Sequence, residues 1–100
     1  MKQFEDAAQA AIDSIPEEFQ PYLENTVFLV KEHSAEGLMG LYEGAGALGA
    51  GEGLPERITL YKRSHEESTH TMAELVEEVR RTILHEVGHH FGMDEDDLPY

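Results

Sequence analysis

Within the pentapeptide HEVGH, His85 to His89, two imidazoles stand four residues apart and a carboxylate follows the first of them. On an α-helix, positions i and i+4 lie one above the other on the same face. Both rings can therefore bring a nitrogen to about 2.0–2.1 Å from one Zn²⁺ without bending the backbone. Glu86 projects beside the pair, where its carboxylate can take a proton from water on the ion without displacing it. These are the parts of a hydrolytic metal site. About one chain in twenty of this composition would carry such a pentapeptide by accident, so its context decides its meaning.

A catalytic zinc takes three protein ligands and a water, and two histidines are one short. Only eleven residues follow His89, too few for a second helix that would deliver a distant glutamate. Gly92 offers another route, since a glycine in the left-handed conformation ends a helix and turns the chain back. The spacing HExxHxxGxx(H/D/E) then puts Glu95 at the last ligand position. Acidic residues just past a helix C-terminus are disfavoured by the helix dipole by roughly 0.3–1 kcal/mol each, a penalty that a bound dication reverses. Asp94 is the alternative ligand or the cap of a short final turn. A solvated acidic tail is the plain account of Asp94, Glu95, Asp96 and Asp97.

The element that must hold these groups is a helix running from Met72 to Gly92, with Thr71 or Ser68 as its cap. At about 100° per residue, Met72, Leu75, Val76, Val79, Ile83 and Val87 form one core-facing stripe. His85 and His89 lie off that stripe, facing a cleft or water. His90 lies on it and reads as a packed core residue. Upstream, Phe4, Ala7, Ala8, Ala11, Ile12 and Ile15 predict a first amphipathic helix over Lys2 to Ile15, and PEEFQPYLEN a connector with room for one helical turn. TVFLVKE, apolar on both faces, reads as a buried strand, and LMGLYEG as a second strand. GAGALGAGEGLP reads as a mobile loop. ERITLYKR alternates like a half-exposed edge strand, and SHEESTH reads as a polar link.

The totals bound the function. One hundred residues with 40% hydrophobic content suit a single domain spanning residues 1–100. A formal net charge of −14 repels phosphate-rich partners, so nucleic acid and anionic membranes are poor candidates. With no cysteine, the available metal ligands are His, Asp and Glu. Glu5, Asp6 and Asp13 interrupt any apolar leader, and a cytoplasmic protein is expected.

The stretch HEVGHHFGMDEDDL, with LMGLYEG and LPERITLYKR before it, resembles the small bacterial family of minimal zincin-like metallopeptidases over nearly the whole chain. The resemblance implies an α+β fold, a small sheet packed on an N-terminal helix and an active-site helix. It implies Zn²⁺ bound by His85, His89 and a carboxylate matching Glu95. HEVGHHFGMDE is also similar to the metzincins, whose last ligand is usually His or Asp. The metzincin methionine turn would need chain beyond DDLPY, so the expected cleft lacks a lower wall, which a protein partner could complete.

The expected activity is hydrolysis of a peptide or protein substrate, with Glu86 as general base and then proton shuttle to the leaving amine. Substrate would add as an extended strand along Ile58 to Tyr61. Tyr61 or His65 could donate to the oxyanion, although a packed aromatic edge and a solvated loop histidine are the simpler readings. The rival expectation is a zinc-stabilised protein-binding module without turnover. A metal-dependent ribonuclease ranks third, because such sites lack the glutamate after the first histidine and the negative charge opposes RNA.

Overall fold

The computed structural model describes residues 2–24, 26–43 and 56–93. The Gly-rich segment, Asp94 and Glu95 lie outside the described residues.

Helix α1, Lys2–Asp13, presents Phe4, Ala7, Ala8 and Ala11 along one buried face. It stops two residues before the end of its apolar pattern because Pro16 biases Ile15 away from helical backbone. Ile15 is buried nonetheless, from the turn that follows. The connector folds as a 3₁₀ helix, Glu17–Leu23, which buries Phe19 and Leu23.

Three strands follow: β1, Thr26–Lys31; β2, Gly40–Glu43; and β3, Glu56–Tyr61. Their order is β1-β3-β2, with β1 parallel to β3 (Phe28 opposite Ile58) and β2 antiparallel to it (Gly40 opposite Leu60, Tyr42 opposite Ile58). This corrects two expectations. β3 is the interior strand, not an edge, and both its hydrogen-bonding sides are taken. β1 is an edge strand that buries one side only: Phe28 and Val30 pack on the core while Val27 and Leu29 stay exposed. Strand order depends on contacts remote in sequence, and the apolar count of a single strand does not encode it.

The SHEESTH segment is not only a polar link. Helix α2, Lys62–Glu67, starts directly at the end of β3 and carries His65 into the interior. Helix α3, Met72–His90, then runs for 19 residues. Its N-terminus is capped by Thr71, whose hydroxyl accepts the Glu74 N–H at 3.1 Å, while the Glu74 carboxylate accepts the His70 N–H at 2.7 Å. Leu75, Val79, Ile83 and Val87 are buried as the helical wheel requires, joined by Thr82 and Leu84. Met72, at the first turn, is exposed instead. α1 lies along α3, and their apolar faces close on Ile58 and Leu60 of β3 to make one core. This is an α+β fold. Among the described residues no helix is long and apolar enough to cross a membrane.

Candidate active site

α3 brings His85 and His89 together on its outer side. Their ring centroids are 4.1 Å apart, with the rings inclined at 56°. His85 is half-buried and His89 exposed, so an ion can reach both from solvent. Two imidazoles on adjacent turns form a donor pair that suits zinc. Among the described residues no group of three His, Cys, Asp or Glu surrounds a single point. The described residues thus bring together two candidate ligands, His85 and His89.

The helix end is built to turn the chain. Gly92 adopts φ +70°, the left-handed region that disfavours any side chain. The Met93 N–H reaches back to the Gly88 carbonyl at 2.8 Å and the Gly92 N–H to that of His89 at 3.4 Å. This is a Schellman motif, completed by Met93 packing against the core. It reverses the chain just before Asp94 and Glu95.

Glu86 is half-buried, and its Oε1 accepts the backbone N–H of Tyr42 at 3.1 Å. The register explains that contact. Met39 lies in a hydrogen-bonded pair with β3, since its carbonyl accepts the Tyr61 N–H at 2.9 Å. By alternation Gly40 and Tyr42 turn their N–H and C=O groups away from β3. Among the described residues no strand pairs with that outer edge of β2, which looks toward Glu86. A cavity of about 250 Å³ opens beside it, between Met39 and Gly40 at the start of β2 on one side and Arg81, Thr82, His85 and Glu86 of α3 on the other.

A family model described as zincin-like metallopeptidase matches residues 15–100. The chain belongs to the zincin-like metallopeptidase family. A solved structure of a conserved hypothetical protein from Thermus thermophilus is similar to it, with 27% identity and a TM-score of 0.64. That match covers 91% of this chain and 92% of the other. No curated protein matches the chain.

In this zincin-like domain the other histidines depart from their expected places. His90 is not a core residue: its side chain is 35% exposed and its ring stacks on Tyr42, with centroids 4.0 Å apart. At this last turn the nominal core face meets an aromatic surface that includes Tyr42 and Phe91. Glu56 stands 3.9 Å from His90 and hydrogen-bonds the Tyr42 hydroxyl. Burial, and after it Glu56, holds the Tyr42 phenol above its ordinary range. His65, expected in solvent, is fully buried. Tyr61 is also buried, on the interior strand, so neither residue is placed as an oxyanion donor. Sequence reasoning missed Gly40 and Thr82, where β2 and α3 touch. The glycine inside LMGLYEG was the available signal, since an isolated strand glycine marks close backbone approach.

Proposed function

We propose that this zincin-like domain hydrolyses peptide bonds, with Glu86 as general base and His85, His89 and Glu95 as the ligands of a zinc ion. The observation that carries this reading is that Glu86, on the same stretch of α3 as the paired His85 and His89, holds its carboxylate at the outer edge of β2. When bound, zinc supplies Lewis acidity toward a peptide carbonyl and makes water more acidic. Glu86 takes the proton of the attacking water and passes it to the leaving amine. The substrate main chain adds along the outer edge of β2, taking over the Tyr42 N–H from Glu86, and not to β3, which has no free edge. The cavity beside Glu86 receives a substrate side chain.

The decisive comparison is wild type against Glu86→Gln, each loaded with zinc and incubated with an unbiased peptide library. Gln keeps the shape of the side chain and the acceptor for Tyr42, so fold and zinc content are expected to persist while cleavage falls by about 10²–10⁴-fold. Equal cleavage by both proteins overturns the assignment of the base. Absence of cleavage in the wild type favours the binding-module reading. For the metal, Glu95→Ala is expected to weaken zinc binding more than Asp94→Ala in a competitive chelator titration, because Glu95 sits at the metzincin-like spacing after Gly92. The reverse ranking moves the third ligand to Asp94.

A further inference from the structure

His65 is buried away from the histidine pair, its ring beside Phe4 of the apolar core. Its Nδ1 lies 2.8 Å from the Tyr61 carbonyl, which can only accept, so Nδ1 carries a proton. Its Nε2 lies 2.8 Å from Thr82 Oγ1. That hydroxyl is also 3.0 Å from the Glu78 carbonyl, one turn back along α3. With His65 neutral, Nε2 is an acceptor, so the single Thr82 hydroxyl proton goes either to Nε2 or to the Glu78 carbonyl. Both acceptors lie on the same side of the residue, which orients the β-branched side chain. Its remaining branch, Cγ2, points at β2. A Cβ built on Gly40 would stand 2.6 Å from Thr82 Cγ2 and 3.3 Å from the Thr59 carbonyl. Gly40 therefore lies in direct contact with the Thr82 methyl, with no room for a side chain. Two residues further along the same strand, the Tyr42 N–H meets Glu86, one turn beyond Thr82 on the same helix.

These contacts form a continuous line from α2 through α3 to the outer edge of β2. We propose that His65 is a positioning residue for the site: it fixes Thr82, whose methyl group sets how closely β2 lies over Glu86. Neither His65 nor Thr82 touches the reacting atoms. Its output is the distance between the Tyr42 N–H and the Glu86 carboxylate, the same edge to which substrate adds. That this distance matters for turnover rests on the peptidase reading above; that His65 sets it does not.

The test is therefore read at the Tyr42 amide, by hydrogen exchange in the full chain, and needs no catalysis. Gly40→Ala places a methyl against Thr82 Cγ2 and is expected to speed Tyr42 exchange by about tenfold or more, while the Val79 and Ile83 amides hold. Adding Thr82→Ser removes the opposing methyl, and most of the protection at Tyr42 should return. His65→Phe keeps a ring beside Phe4 but removes both hydrogen bonds, and should speed Tyr42 exchange in the same selective way. Unchanged Tyr42 exchange in either single variant overturns the proposal. So does a double variant no better protected than Gly40→Ala. If His65→Phe does not fold, the Gly40 and Thr82 pair still decides whether the Thr82 methyl sets the strand. A positive exchange result in a wild-type protein that cleaves nothing would leave the positioning role intact and remove the peptidase reading.

Discussion

The upstream and downstream turns of α3 meet β2 in opposite ways. At Thr82 the contact is buried and directional: a buried imidazole, a threonine hydroxyl facing two acceptors, and a methyl group against a glycine. At His90 and Phe91 it is a set of half-exposed rings, His90 stacked on Tyr42 and Phe91 edge-on to it, beside the hydrogen bond from the Tyr42 hydroxyl to Glu56. The catalytic candidates His85, Glu86 and His89 lie between these two turns. The difference suits a site that needs one fixed wall and one adaptable end: buried polar contacts specify a single geometry, whereas exposed aromatic stacking tolerates sliding.

The contrast breaks most severely at its buried end. His65→Ala removes a fully buried ring and strands the Tyr61 carbonyl, and both the cavity and the lost hydrogen bonds add to the cost. A loss of about 3–5 kcal/mol is expected in denaturant unfolding, comparable to removing a core aromatic. A loss below about 1 kcal/mol would show that the ring is not packed as described.

A smaller effect should appear with pH. Burial holds the His65 imidazole below its ordinary value of 6.5, opposed by the Tyr61 carbonyl and the Glu78 charge. Between the two values the unfolded chain binds a proton that the folded chain does not. The stability contributed by neutral His65 is thus present above pH 6.5 and lost as pH falls through its lowered value. Melting of metal-free protein from about pH 8 to about pH 5 should show this acid loss in the wild type, and a shallower one in His65→Phe. Equal slopes would mean that His65 does not titrate across this window.

How far these two ends are legible in the sequence follows from the range of the interactions. The Thr71 cap, the helical run and the Gly92 turn are local, and each is written within a few residues of where it acts. The HEVGH pair is local too, because one helix carries it. The position of β3 in the sheet is not local, since the same alternation in ERITLYKR serves an interior strand with one face on the helices. His65 and His90 exchange expectations for the same reason. A polar stretch hides His65 until α2 folds it against Thr82, and the wheel places His90 on the core face of a helix whose last turn meets Tyr42 and Glu56 there.

The smallest expected effect tests the exposed end. His90→Ala removes a stack that is about one-third exposed and a facing carboxylate 3.9 Å away. An exposed ion pair is worth about 0–1 kcal/mol and an aromatic pair about 0.5–1.5 kcal/mol beyond its buried area, so the total loss should stay near 1 kcal/mol. Zinc affinity should be close to that of the wild type, because His90 is turned toward Tyr42 and away from the His85 and His89 pair. Isothermal titration with zinc on His90→Ala and His89→Ala separates the cases. Should His90→Ala lose as much affinity as His89→Ala, the ring that stacks on Tyr42 would have to leave it when metal binds. The adaptable end of α3 would then be part of the metal site.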